Sequence, residues 1–303
     1  MMSTKEENCV KCFNEAGELF HLLTPENFDL IFVNEEDFKT GITLLGLVAM
    51  LFRDVVIYTF ELMSNHLHVV ASGKEERLKS MFESYSGLLQ RHFDEDCRYV
   101  HWAEFKCKTI RISSLENLRN DIAYVNRNGF VVHPDVTPFS YEWGANRFYF
   151  NPEAKLRHSE SCTEMTVREI RKYSRSRKFD MLHGLKMVDG YVSPLCFCAI
   201  EKGEAFFRDA RHYYNKVSKS IESYKEVADS IGESVYYTDD DLFAVARNIS
   251  KERYGGVKLS LLPGKAKIEL ARSLHYDYNA SNKQIRRMLG LDERILMSLF
   301  PSK

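Results

Sequence analysis

The chain has 303 residues with 42 Lys/Arg against 43 Asp/Glu, a net charge of −1, and it is 44% hydrophobic and 28% charged. This excludes collagen-like, disordered and small disulfide-built chains, and the length suits two domains with a sizeable core. The longest nearly apolar run, Ile42 to Phe52, falls short of the ~20 residues a bilayer-spanning helix needs, so no membrane partner is expected.

A polar N-terminus with no secretory apolar core gives the expectation of a cytoplasmic protein, and seven cysteines, an odd number, read as free thiols. Charge is unevenly spread. Met1 to Asp37 holds nine acidic residues and two lysines, whereas Arg247 to Lys303 holds twelve Lys/Arg and five Asp/Glu. A second basic cluster runs from Arg168 to Lys178. Taken alone, each basic cluster also reads as a solvated helix face.

In chain order, Leu19 to Leu23 and Leu30 to Val33 have the look of short strands, and Glu35 to Leu51 has the apolar spacing of a helix. Val55 to Met63 is the β-branched and aromatic run expected of a buried strand, and after the polar break at Ser64-Asn65 the stretch His66 to Ala71 is expected to pair with it as a hairpin. Glu75 to Phe93 reads as a helix, Phe105 to Ile112 as a strand, and Ser114 to Asn128 as a helix capped by Ser114. The order β-α-β-β-α-β-α predicts an α+β fold of ferredoxin-like type, one antiparallel sheet with helices. Beyond Asn151 the pattern is mostly helical, so a boundary is expected near residue 150, with 1–150 one domain and 151–303 a mostly α-helical second. Its clearest helices are Asp239 to Tyr254, Lys265 to Tyr276, Ser281 to Leu289 and Asp292 to Phe300. Ser281 and Gln284 have capping-box spacing, and Gly290 followed by Asp292 gives helix-turn-helix spacing within 265–300.

Two places can carry chemistry. In Asn65-His66-Leu67-His68 the histidines at i and i+2 of a strand share one face and could share a divalent metal; the alternative is a pair of surface or hydrogen-bonded imidazoles. On the helix from Ser114, Leu115, Leu118, Ile122 and Val125 form the apolar stripe, while Asn117, Asp121, Tyr124 and Asn128 gather on the opposite side. Tyr124 is then either an amphipathic tyrosine at the rim of the fold or a working phenol, with Asn128 one turn on and able to offer an amide oxygen to a metal. Asp121, just before Tyr124 on the same side, reads as a solvent-facing carboxylate, the alternative being one that tunes the site.

The segments Phe60-Glu61-Leu62-Met63-Ser64-Asn65-His66-Leu67-His68-Val69-Val70, Trp102-Ala103-Glu104-Phe105-Lys106-Cys107-Lys108 and Ile122-Ala123-Tyr124-Val125-Asn126-Arg127-Asn128 resemble the single-tyrosine HUH transposases in order and spacing. The resemblance is closest to the REP-associated tyrosine transposases and their insertion-sequence relatives, and covers residues 15 to 148. It implies an HUH nuclease domain in which His66, His68 and Asn128 hold Mg²⁺ or Mn²⁺ and Tyr124 is the catalytic nucleophile. The implied activity is cleavage and rejoining of single-stranded DNA, presented by a hairpin, through a 5′-phosphotyrosine. A homodimer is compatible with it. Two positions depart from the family: Ser64 and Gly129 stand where Pro is usual.

Candidate phosphate contacts are Lys106, Lys108, Arg111 and Arg127 near the site, and Arg286, Arg287 and Arg294 around the helix-turn-helix, where Asp292 and Glu293 would oppose a phosphate. Cys9-x-x-Cys12 and Cys196-x-Cys198 are too far apart in sequence for a recognisable zinc site, and Cys196 and Cys198 read as core residues. Phosphate-binding glycine loops are absent, which argues against nucleotide-driven chemistry. The competing expectation is a non-catalytic, domesticated DNA-binding protein or regulator using the C-terminal helices. A relaxase or replication initiator would share the chemistry.

Overall fold

Four antiparallel strands, β1 (Leu19–Leu23), β2 (Val56–Leu62), β3 (Leu67–Ser72) and β4 (Lys108–Ile112), form a sheet in the order β2-β3-β1-β4. A computed structural model describes residues 4–26, 28–94, 100–132, 141–219, 227–228, 237 and 239–301. Helix α1 (Thr4–Glu15) precedes the sheet, α2 (Glu35–Leu51) links β1 to β2, α3 (Glu75–Phe93) links β3 to β4, and α4 (Leu115–Val132) follows β4. The chain is thus mixed α+β and mostly helical. Helix α2 starts where it does because Asn34 and Asp37 form a capping box that satisfies its first free N–H groups.

Because side chains alternate across a strand, Leu22 and Val69 point to one face of the sheet, where they meet Leu45 of α2 and Met81 and Tyr85 of α3. His21 and His68 point to the other face, and α4 packs there. Every β1 residue is buried, since both faces of the sheet are covered.

The chain separates into two compact units, Met1–Ser220 and Ile221–Lys303. The boundary expected near residue 150 therefore falls inside the first unit, and the reason lies at the free edge of β2. An uncovered edge strand leaves a row of N–H and C=O groups unpaired. Here Leu62 N–H donates to Trp143 O at 2.9 Å, Ala145 N–H to Phe60 O at 3.1 Å and Ala199 N–H to Ile57 O at 2.7 Å. Two later segments thus finish the sheet.

Helix α8 (Ala210–Lys219) is tied in by buried polar groups. Asn126 Nδ2 donates to the Tyr213 hydroxyl at 2.7 Å, that hydroxyl donates to Asn146 Oδ1 at 2.5 Å, and Asn146 Nδ2 donates to Asn126 O at 2.7 Å. Thr59 of β2 donates to Asn126 Oδ1. Arg119 of α4 pairs in bidentate fashion with Glu6 of α1 and donates through Nε to Phe206 O. That guanidinium holds the Glu6 carboxyl below its usual range.

Between these ties lie α5 (Pro152–Glu160), α6 (Val167–Ser174) and α7 (Ile200–Glu204). They flank a small sheet absent from the helical reading of this region: β5 (Thr163–Glu164), β6 (Lys186–Val188) and β7 (Tyr191–Val192), in that order. These strands are two or three residues long, too short for a period-2 pattern to stand out in sequence. The strand expected at Leu30 to Val33 is not formed. Leu30 and Val33 are exposed while Ile31 and Phe32 are buried side by side, a pattern that period-2 alternation forbids, and both buried residues donate their N–H to Ser64 O. Strand β4 starts at Lys108 rather than Phe105, after a 3-10 turn at Trp102–Glu104.

In the second unit, helices α9 (Asp239–Tyr254), α10 (Gly264–Tyr278), α11 (Asn282–Leu289) and α12 (Glu293–Leu299) follow the expected spans. The Ser281–Gln284 capping box opens α11, Gly290 closes it in the left-handed region at φ 62°, and Asp292 caps α12.

A chain ending at Ser220 is expected to unfold cooperatively, and one ending at Phe150 to lack a cooperative thermal transition by circular dichroism, because it loses the Ala199 contact on β2 and the cover of α4 by α8. Replacing Tyr213 by Phe keeps the ring but strips Asn126 and Asn146 of a shared partner. It should cost about 2 kcal/mol in urea denaturation.

Candidate functional site

The β2–β3 hairpin closes through Met63 N–H to His66 O at 2.9 Å, and its tip is anchored to the end of β1 by Leu67 N–H donating to Thr24 Oγ1 at 2.9 Å. Asn65 donates through Nδ2 to Glu26 O, which orients its amide so that Oδ1 faces His66 Nδ1 at 2.8 Å. Ser64 uses its carbonyl to hold the segment at Ile31 and Phe32. Helix α4 runs on past Gly129 to Val132.

From this hairpin His66 and His68 project to the same side, with ring centroids 5.0 Å apart and nearly perpendicular planes. His68 is fully buried. Its ring stands edge-on to Tyr124 of α4, centroids 5.6 Å apart, and Tyr124 is 6.1 Å from His21 of β1. His21 Nε2 lies 3.1 Å from His68 Nδ1, and His21 Nδ1 lies 2.9 Å from Asp121 Oδ1. Three histidines, a carboxylate and a phenol thus meet between the sheet and α4.

From Asp121 onward the polar sector of α4 faces the sheet rather than solvent, whereas Asn117 at its start is exposed. Tyr124 is 3% exposed, so it is not a rim tyrosine, and Asp121 is buried on His21 rather than solvent-facing. The apolar residues Leu118, Ile122 and Val125 are also buried, because α4 is covered on more than one side: it packs on β2 and β3 and also on α8. Asn128 is buried one turn beyond Tyr124. Glu61, buried on β2 directly across from His68, has its carboxylate beside Gly144, where any Cβ would crowd Phe60 O at 3.1 Å.

Burial disfavours the charged imidazolium, pushing His66 down to about 4 and His68 well below its ordinary value, with the neighbouring His66 and His21 adding to the effect on His68. Both rings are thus neutral near pH 7, the form in which imidazole ligates a metal. Among the described residues no group of three or more His, Cys, Asp or Glu is arranged to hold a metal ion. What the geometry brings together is two neutral imidazoles close enough to share a divalent ion, His66 and His68.

The cationic candidates divide. Lys106 and Lys108 are exposed beside β4; Arg111 is exposed but paired with Glu18 at 3.1 Å. Arg127 is 5% exposed, packed inside the fold, so it does not offer the surface guanidinium expected of a phosphate contact. It sits in the stretch of α4 where every residue from Asp121 to Asn128 is buried. In the second unit Arg286 pairs with Glu293 at 2.7 Å and Arg287 with Asp239 at 2.7 Å, while Arg294 is exposed. Cys198 is in the core, its thiol on Tyr58 O at 3.1 Å, and Cys196 is half-buried.

Sequence reasoning missed His21. Its signal was faint: one histidine in the otherwise apolar run Leu19 to Leu23. Compared with protein-family models, curated proteins and solved structures, the chain matches none.

A histidine held neutral in the fold stabilises it fully above the unfolded value of about 6.5, and that stability is lost as pH falls toward the folded value. The melting temperature should therefore hold from pH 8 to 7 and fall between pH 6.5 and 4.5. Calorimetry of His66→Gln across the same range should show a shallower fall than wild type.

Proposed function

We propose that the protein is a single-strand DNA transferase of the HUH type, a transposase or nuclease built on a ferredoxin-like domain, in which Tyr124 attacks a phosphodiester. The observation that carries this reading is the convergence of His66 and His68 with Tyr124: a hairpin on one side and a helix on the other bring two neutral imidazoles and a phenol to one place. The β-α-β-β-α-β order with strands arranged β2-β3-β1-β4 supports the fold. The resemblance of the three sequence segments supports the chemistry.

A phenol, with an ordinary pKa of ~10, is a weak nucleophile at neutral pH. A Mg²⁺ or Mn²⁺ ion held by His66, His68 and Asn128 would supply Lewis-acid neutralisation of the scissile phosphate. The Tyr124 oxygen then loses its proton and forms the new bond to phosphorus as the P–O3′ bond breaks. The products are a 5′-phosphotyrosine and a free 3′-hydroxyl. The phosphodiester energy is retained in the tyrosyl ester, so a second 3′-hydroxyl can displace the phenol and rejoin strands without ATP. Lys106 and Lys108, exposed before and at the start of β4, would take backbone phosphates by charge.

One observation favours a second reading. Tyr124 is nearly enclosed, so as placed its hydroxyl offers little surface to a strand. A non-catalytic DNA-binding protein, with Tyr124 as a packing residue, would use the basic second unit instead.

Incubation with labelled hairpin and single-stranded oligonucleotides plus Mn²⁺, followed by denaturing gels and peptide mapping, separates the two. The transferase reading expects a covalent adduct on Tyr124 and its loss to background in Tyr124→Phe, with folding retained. Salt-sensitive binding without any adduct would favour the second reading.

A further inference from the structure

The chain of hydrogen bonds behind His68 is not used by the chemistry above, and it ends on a group that can only accept. Asp121, as a carboxylate, accepts from His21, so the His21 proton sits on Nδ1, 2.9 Å away. With a single ring proton, at Nδ1, His21 would present a lone pair at Nε2 and accept from the His68 nitrogen 3.1 Å away, Nδ1, which then carries that ring's proton. That leaves the His68 lone pair on Nε2. The same logic holds independently at His66. Asn65 spends its Nδ2 on Glu26 O, so its Oδ1 accepts from His66 Nδ1–H, again leaving the lone pair on Nε2. Two neighbouring imidazoles, His66 just before β3 and His68 on it, are thus fixed in the same tautomer by two unrelated devices.

We infer that Asp121 and His21 are positioning residues whose hydrogen-bond chain fixes His68 in the Nδ1–H tautomer and commits its Nε2 to bind a divalent cation. The inference rests on the reading of His68 as a metal ligand and extends it to residues outside the ligand set. Carboxylate–imidazole support of this kind fixes ring orientation and raises ligand basicity, and its loss typically costs 10–100-fold in metal affinity. Here an additional imidazole lies between the carboxylate and the ligand. All three members are buried, so water does not supply the missing acceptor when one is changed. The competing acceptor is Glu61, directly across from His68 on β2, and a bond to it would select the opposite tautomer, which a ¹⁵N-histidine spectrum distinguishes.

The test uses the full chain, selectively labelled with ¹⁵N-histidine and free of metal, whose ring tautomers are read by long-range ¹⁵N–¹H correlation at pH 7.5. The expected spectrum has His21 and His68 both as Nδ1–H. In Asp121→Asn, whose amide can turn a donor toward His21 Nδ1, the His68 signal should move away from that tautomer. Mn²⁺ affinity, measured by calorimetric titration, should fall about 10- to 100-fold. Asp121→Glu, which keeps the acceptor, should recover part of both. Wild-type His68 found as Nε2–H would overturn the inference, as would an Asp121→Asn protein, folded by circular dichroism, with tautomers and affinity unchanged. Wild-type protein with the expected tautomers and no Mn²⁺ uptake would overturn the metal reading while supporting the tautomer chain.

Discussion

Polar side chains buried between α4 and the sheet impose the constraint on which the first unit depends. A helix laid on a sheet normally seals the contact with apolar side chains, yet this one brings Asp121, Tyr124, Asn126 and Asn128 into the interior, and the sheet answers with His21, Thr59, Glu61 and His68. Leaving such groups unpaired in a low-dielectric interior would cost more than their burial returns. Partners must therefore be supplied in exact positions. Asn126 finds Thr59 and Tyr213, and Asp121 finds His21, so the register of α4 on the sheet is specified by donor–acceptor geometry as well as by packing.

The same demand explains why so much chain follows α4. Tyr213 and Asn146 complete the network around Asn126, Phe206 offers its carbonyl to Arg119, and residues near 144 and 198 cover the open edge of β2. These segments lie far from the hairpin in sequence but hold the frame on which it sits. A site of this kind needs its parts held to within a fraction of an ångström, and supporting contacts in a rigid frame are what provide that.

Electrostatics and geometry agree at the centre of the site. Burial keeps His66 and His68 uncharged, which favours metal ligation, and it also encloses Tyr124. A transferase would need the enclosed phenol to meet a phosphate, whereas a binding protein would not. Cleavage chemistry and static packing thus place opposing demands on one residue. In the second unit, by contrast, two of the three expected DNA-contacting arginines are engaged with Glu293 and Asp239, so part of its basic excess is already neutralised within the fold.

The amino-acid sequence by itself determined those features that depend on local periodicity and capping. The strand Leu19–Leu23 and the helices Glu35–Leu51 and Glu75–Phe93 lie where apolar spacing placed them, as do the α11 capping box and the turn at Gly290. The pairing of His66 with His68 on one face followed from the period of a strand. Tertiary structure alone decided the rest. Ile31 and Phe32 look like strand residues but turn in because Ser64 takes both of their N–H groups. The unit extends to residue 220 because an open sheet edge must be covered, a need that no local window can register. The angular spacing of α4 separates polar from apolar sectors but does not say that both are buried from Asp121 to Asn128. Tyr124, Asp121 and Arg127 could be placed inside only once the sheet, α1 and α8 were packed around the helix. His21 became part of the site for the same reason: its partners lie 47 and 100 residues away, brought to it by the fold.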